Sequence, residues 1–418
     1  MPSRKTYDQA EGPFRGPART RASRTVQKGQ RRRRLLRPLA RTLLVLALIL
    51  ILATLLLGPK AHKAPVIAST FPKQVPGSLT STPMPSGLAG KVLVEAEGTP
   101  LVSKDATRGN ALASVTKIMT AYIVLTSGHY RLTQKIPITQ AEVHEAQVML
   151  LAGDSVVIFP TGSQVSVLDM LYALLLPSGD NIADLLAAAY PGGEGAFVAA
   201  MNAKARALGL TSLHYVDPSG LGPRDTGDAQ DIVRLTALAL KNPTFARIVA
   251  TKSWTLPGVG TVHNLNVLLT DLPGTVGVKT GWTTASGRNL VWANRPRIPG
   301  SPLIIAAILG APGGFGPVFN EASALTSYAK VALGRLVIPK GTIVGEATLG
   351  LGLKVPLRAA RTITLWGPKG SPIHFRWIPQ ASPPGLPGRA MALVGATPVP
   401  VPLLSPKLPL WYRIAVTL

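Results

Sequence analysis

The chain has 418 residues, no cysteine, six histidines and a formal net charge of +25 at neutral pH. That length buries a substantial core and allows two or three domains, while the lack of cysteine excludes disulfides, thiolate metal sites and a cysteine nucleophile. The charge does not point to nucleic acid, because a net of about eleven positive units is concentrated in the first 41 residues, directly ahead of an apolar run.

The run "RRRRLLRPLAR" leads into "TLLVLALILILATLLLG", residues 42–58, which carries no charge. A helix of that length covers about 25 Å, close to one hydrocarbon core, and shows no polar face of the kind a buried soluble helix keeps. The expectation is one membrane-spanning helix, with the basic tail 1–41 in the cytoplasm facing anionic headgroups and everything after Gly58 outside the cell membrane. A cleaved signal peptide is the competing reading, although "GPKAHKAP" offers no small-x-small cleavage site. Residues 59–88, rich in Pro, Ser, Thr and Gly, read as a disordered linker.

From Leu93 the texture becomes globular. "KVLVEAEG" and "TPLVSKD" predict a β-hairpin. The runs "KIMTAYIVLTS", "VSVLDMLYALLL", "NIADLLAAAY", "GAFVAAMNAKARALGL" and "DIVRLTALALKN" have helical apolar spacing. Strand-like runs return in "NLVWAN" and "PLIIAAILGA", the latter too apolar to lie on an open face. Helices gathered between an early hairpin and late strands predict an α+β domain over 89–338, one sheet covered by a helical cluster. Beyond Pro339, short strand-like runs between prolines and glycines predict a small all-β C-terminal domain, 339–418.

Within "LASVTKIM", Ser114 and Lys117 stand three residues apart, so on a helix their side chains meet on one face. A bland alternative has Ser114 capping a helix whose apolar side is Ile118, Met119, Tyr122 and Val124, with Lys117 reaching to water. In "LLLPSGDNIADLLA", Ser178 lies between two apolar runs, where it serves as a helix N-cap or as a functional hydroxyl. In "GTVGVKTGWTTASGRNL", Lys279, Thr280 and Gly281 lie on a predicted strand, ordinary at an edge by themselves. His129, His144, His214 and His263 follow no metal-ligand spacing, so neither a metal nor another cofactor is expected.

In this order the Ser-x-x-Lys, Ser-Gly-Asp and Lys-Thr-Gly motifs resemble those of penicillin-recognising serine acyl-transferases. The chain resembles in particular the D-alanyl-D-alanine carboxypeptidases among the low-molecular-mass penicillin-binding proteins, over about residues 89–332. "SLHYVDPSGL" before "DAQDIVRLTALAL", and "HNLNVLL" ahead of "KTG", add to the likeness. The resemblance implies the penicillin-binding-protein/β-lactamase-like transpeptidase fold. Its implied substrate is a peptidoglycan stem peptide, with β-lactams as covalent inhibitors. Ser114 would be the acylated nucleophile and Lys117 its base, a role that needs a lysine pKa lowered by burial and a second cation. Ser178 would bridge Lys117 and Lys279, and the backbone N–H groups of Ser114 and Trp282 would form the oxyanion hole. The strand of Thr280 and Gly281 would align the peptide.

Two departures accompany the likeness. The third position of the second motif is Asp180 rather than asparagine, with Asn181 one residue later. An asparagine donates to a substrate amide, whereas an ionised aspartate only accepts. Asp180 is therefore expected to be protonated, to pair with Lys117 or Lys279, or to yield its role to Asn181. The resemblance also implies an arginine for the terminal carboxylate beyond the strand that follows "KTG". "GAPGGFGPVFNEASALTSYAK" holds none, and Arg288 and Arg295 are the nearest. Competing readings are an endopeptidase of peptidoglycan cross-links and a weakly active or non-catalytic wall-binding protein. A β-lactamase is disfavoured, because Glu194 is the sole glutamate between Asn181 and Lys279 and lacks the expected Leu-Asn partner.

Overall fold

The structure is a computed structural model that describes residues 42–49, 84–348, 353–378, 389–394 and 397–404. Residues 42–49, which fall within the expected span, are helical and exposed. The tail 1–41, residues 50–58 and most of the predicted linker lie outside the described residues, among which no helix is long and apolar enough to cross a membrane. The remaining description concerns the described residues of one compact unit, 84–347 with 354–378, 389–394 and 397–404.

That unit is built on a five-stranded antiparallel sheet. Its strands are β1 (Lys91–Ala96), β2 (Thr99–Lys104), β3 (Thr275–Thr283), β4 (Gly287–Asn294) and β5 (Ile304–Ala311), in the spatial order β2-β1-β5-β4-β3. The expected hairpin is β1–β2, turning at Glu97 and Gly98, both with positive φ. Thus the first and last strands of the domain pair at the sheet's centre, and β3 is left at an edge.

Side chains alternate between the two faces of a strand, so each face presents its own apolar set. On one face Leu93, Val291, Ala307 and Leu309 join a large core made with the helices α1 (Lys117–Thr126), α2 (Gln140–Ala152), α3 (Val167–Leu175), α4 (Asp180–Ala188), α5 (Gly193–Ala207), α6 (Ala229–Ala239) and α7 (Pro243–Val249). On the other, Val92, Val94, Leu290, Trp292, Ala306 and Ile308 pack against Val318, Ala322, Leu325 and Ala329 of α8 (Phe315–Ala332). The buried indole N–H of Trp292 donates to Thr326 Oγ1 at 2.9 Å, which satisfies a group that would otherwise be costly inside. The sheet is therefore covered on both faces, by the helical cluster on one and by α8 on the other. The near-continuous apolar run of β5 is the reason, because both of its faces are buried.

Three of these helices, α2, α7 and α8, have no counterpart among the predicted elements. α2 buries only Ala146 and is held by its ends: Thr139 and Glu142 make a capping box, and Gly153 closes it in the left-handed conformation. α8 starts with Gly316 and Pro317 in its first turn, where proline lacks only an N–H that has no helical partner. Past α8 come the strands Leu333–Ile338, Ile343–Thr348, Lys354–Arg358, Ile363–Pro368, Ile373–Ile378, Arg389–Val394 and Thr397–Val401. The first pairs with Ile363–Pro368, and the last three form an antiparallel meander.

Candidate active site

Ser114 lies in a short 3₁₀ turn, Ala113–Thr116, that runs directly into α1 at Lys117. Ala113 has a positive φ of 50°, which turns the chain sharply at the base of the nucleophile candidate. The turn is clamped from behind by the loop 216–225. Thr116 Oγ1 donates to Asp225 Oδ2 at 2.9 Å, and Leu112 N–H donates to the Asp225 carbonyl at 2.9 Å. Burial, then the charge of Asp217, pushes the Asp225 carboxyl up to about 6. Asp217 accepts from the N–H groups of Ser219, Gly220 and Gly222 and so ties its loop into a compact knot. Gly220, at φ +84°, leaves no room for a side chain: a Cβ there would sit 2.0 Å from the Ala113 carbonyl oxygen.

Lys117 does not reach to water; its exposure is 0%. Its ammonium donates to Ser114 Oγ at 2.9 Å, to the Ser219 carbonyl at 2.7 Å and to Asp180 Oδ1. The carboxylate of Asp180 is thus paired with Lys117, one of the alternatives the sequence left open. Its other oxygen accepts from Ser155 N–H at 2.9 Å, while its own N–H donates to the Ser155 carbonyl at 2.6 Å. Asn181 is turned away into the protein, where its amide exchanges two hydrogen bonds with the backbone of Val157, at 2.9 and 3.0 Å.

Ser178 is not a helix cap, since Gly179 occupies the position before α4. It adopts φ +70°, is 3% exposed, and its Oγ has no hydrogen-bond partner among the described residues. A buried hydroxyl without a partner costs about 1–3 kcal/mol.

Lys279 lies on β3 opposite Val291, on the face turned to the helices. It is 1% exposed and donates to the Thr280 carbonyl at 3.0 Å. Burial first, then the positive charge of Lys117, brings its pKa down to about 7, with the Asp180 carboxylate opposing the fall. Two residues on, Gly281 lets β3 approach the 3₁₀ turn: a Cβ there would lie 3.0 Å from Val115 N and 3.1 Å from Ser114 N. Asn289 on β4 reinforces the contact by donating to the carbonyls of Ala111 and Leu112, at 3.0 and 2.8 Å. Thr280 is buried and Trp282 is half exposed.

The structure therefore gathers Ser114, Lys117 and Asp180 by direct contact, sets Lys279 within their electrostatic reach and brings Gly281 against Ser114, whereas Asn181 is bound elsewhere. Residues that sequence reasoning did not single out are Ser155, Asp217, Ser219 and Asp225. Of these, Asp217 and Ser219 carry a signal, the turn-forming Asp-Pro-Ser-Gly. Among the described residues no group of three or more His, Asp or Glu is placed to hold a metal. A hydroxyl, a buried amine in contact with it and a second buried amine of near-neutral pKa are the parts of a nucleophile and its proton relay.

The pattern of a family described as D-alanyl-D-alanine carboxypeptidase matches residues 87–313. A Pseudomonas aeruginosa protein named D-alanyl-D-alanine endopeptidase is 34% identical over 206 residues, 47% of this chain and 63% of that protein. A Mycobacterium tuberculosis protein named D-alanyl-D-alanine carboxypeptidase DacB2 is 34% identical over 254 residues, 58% of this chain and 82% of its own length. Among solved structures, the Streptomyces K15 DD-transpeptidase superposes with a TM-score of 0.55 at 28% identity, covering 59% of this chain and 99% of that one.

Proposed function

The chain belongs to the D-alanyl-D-alanine carboxypeptidase family of serine peptidases, and from that premise we propose that it removes the terminal D-alanine of peptidoglycan stem peptides through an acyl-enzyme on Ser114. The observation that carries the assignment of residues is the 2.9 Å contact between Lys117 Nζ and Ser114 Oγ.

Lys117 enters the step as the neutral amine, one proton having left its Nζ to solvent, and as Ser114 Oγ attacks the carbonyl between the two D-alanines the serine proton passes to that amine. The positive charge that Lys117 then carries is met by Asp180 and by the Ser219 carbonyl, both already in place and needing no reorganisation. The tetrahedral oxyanion is held by the backbone N–H groups of Ser114 and Trp282. As the C–N bond breaks, Ser178 carries a proton from the lysine pair to the departing nitrogen. Water attacks the ester, and Ser114 is regenerated. Thr280 and Gly281 align the peptide along β3. β-Lactams acylate the same serine and stay. The basic tail and the apolar run that begins at Thr42 support a single N-terminal membrane anchor, with the catalytic part on the outer side.

A second reading, cleavage of cross-links, is favoured by the Pseudomonas relative's name. Fluorescent penicillin with mass spectrometry of the adduct, beside D-alanine release from a pentapeptide ending in D-Ala-D-Ala, tests the proposal. The adduct is expected on Ser114 and disappears in Ser114→Ala. An adduct on any other residue overturns the mechanism.

A further inference from the structure

Leu112 and Thr116 stand two residues before and two residues after Ser114, and one residue holds them both. The Asp225 carbonyl accepts from Leu112 N–H at 2.9 Å, and Asp225 Oδ2 accepts from Thr116 Oγ1 at 2.9 Å. The other carboxylate oxygen accepts from Val216 N–H at 2.6 Å and from Asp217 N–H at 3.2 Å. From there the hold passes to Lys117. Asp217 gathers the N–H groups of Ser219 and Gly220, and the Ser219 carbonyl accepts from Lys117 Nζ at 2.7 Å. Thr120 Oγ1, on the first turn of α1, adds a bond to the Pro218 carbonyl at 2.6 Å. Asp225 is 0% exposed, and among the described residues no cation forms an ion pair with it.

We infer that Asp225 is a positioning residue for acylation, which as a carboxylate locks the turn of Ser114 and the loop behind Lys117 into one frame. The inference rests on the proposed reading of those two residues. Three donors converge on the carboxylate, so the arrangement is complete only while the group is ionised and purely an acceptor. A proton on Oδ2 would make that oxygen a donor and turn the Thr116 hydroxyl out of the bond that ties it down. Keeping a carboxylate charged without a cation is costly inside a protein, and burial, with the charge of Asp217, pushes its pKa up to about 6. The titratable groups around it are Asp217 in its own loop and Tyr215, whose phenol is pushed up by burial, then by Asp225 and by Asp231 of α6. On the side of the turn Thr116 is uncharged and Lys117 is committed to Asp180, while Arg224 is exposed. The frame therefore slackens as the pH falls through that range, and the spacing of Ser114 and Lys117 is no longer fixed.

The test measures the saturating rate of Ser114 acylation by penicillin and, separately, the affinity of the complex that precedes it. Asp225→Asn keeps the shape but adds N–H groups among the three donors. At about pH 8 it is expected to lower the saturating rate about 10- to 100-fold and to leave the affinity within about twofold, as a small displacement of a nucleophile does. The ratio of wild-type to variant rates should shrink toward one below about pH 5, where the wild-type carboxylate is protonated too, whereas a role confined to stability would keep it constant. Thr116→Val, which removes one donor at nearly constant volume, should slow acylation in the same way, and Thr116→Ser should retain most of the rate. Thermal melts show which variants fold, and the two Thr116 variants decide the outcome if Asp225→Asn does not. An unchanged saturating rate in Thr116→Val, a loss of affinity in place of rate, or a rate ratio independent of pH overturns the inference. Failure of the underlying reading is distinguishable, because the wild-type chain would then form no Ser114 adduct.

Discussion

Lys117 and Asp180 form an ion pair almost wholly withdrawn from water, with side-chain exposures of 0% and 3%. The same lysine holds Ser114 Oγ, so the carboxylate stands one atom away from the nucleophile's proton path. In the proposed mechanism Asp180 therefore serves the charge balance of the two buried amines rather than offering an amide-type donor to substrate.

Asp180→Asn tests that role. The carboxylate opposes the fall of the Lys279 pKa, so its removal is expected to take Lys279 still lower and to move the acid limb of the pH–rate profile to lower pH. Stability should drop by about 2 kcal/mol, because one amide oxygen cannot serve both Lys117 and Ser155 N–H. Penicillin acylation rates across pH, with thermal melts, provide the check. An acid limb that stays or moves upward refutes the charge-balance role.

Lys279 makes stability depend on pH in a stated direction. Its pKa is about 7 in the folded chain against the usual 10.5. Between those values the unfolded chain keeps a proton that the folded chain has shed, so stability rises with pH across the window, by about 1 kcal/mol per pH unit from this group. Below the window both states are protonated and the contribution is at its least favourable. Urea midpoints at about pH 6, 7.5 and 9 should show this rise, and Lys279→Met should flatten it. An equally steep slope in Lys279→Met would assign the effect to another group.

Gly281→Ala probes the approach of β3 to the catalytic turn. The new methyl would meet backbone nitrogen at 3.0 and 3.1 Å, tighter than an ordinary contact, and neither Ser114 nor Val115 yields without moving the turn. Acylation is expected to slow about tenfold or more, since small displacements of a nucleophile are costly. The fold should lose only about 1–2 kcal/mol. Stopped-flow labelling beside a melting curve separates the two, and an unaltered acylation rate would show that this contact does not position Ser114.

Much of this could be read from residues alone. The alternation in "KVLVEAEG" and the apolar run "PLIIAAILGA" gave away β1 and β5, and the motifs marked Ser114, Lys117 and Asp180, which the fold brings into one chain of contacts. What escaped is tertiary in origin. α2 depends on its caps rather than on an apolar stripe, and α8 hides behind Gly316 and Pro317. The partner of Asp180 was one of several alternatives, because which lysine a buried carboxylate meets is decided by chain segments 63 residues apart. The helix cap, the bland alternative for Ser178 because serine favours that position, is not made, since the backbone places Gly179 there instead.

The position of β3 at the end of the sheet has a consequence for the protein in crowded surroundings. A strand with one side unpaired is a template on which another copy of the chain could dock edge to edge and begin to aggregate. β3 is poorly suited to that use, because Gly277 takes φ +126° against Val249 and the pairing with β4 slips register between Trp292 and Asn294. The irregularity leaves a nine-residue strand with a kinked start and a straight run only toward its far end. A single narrow peptide still finds enough straight backbone beside Lys279 and Gly281, whereas a second sheet does not, so the edge stays open to small guests and closed to its own kind.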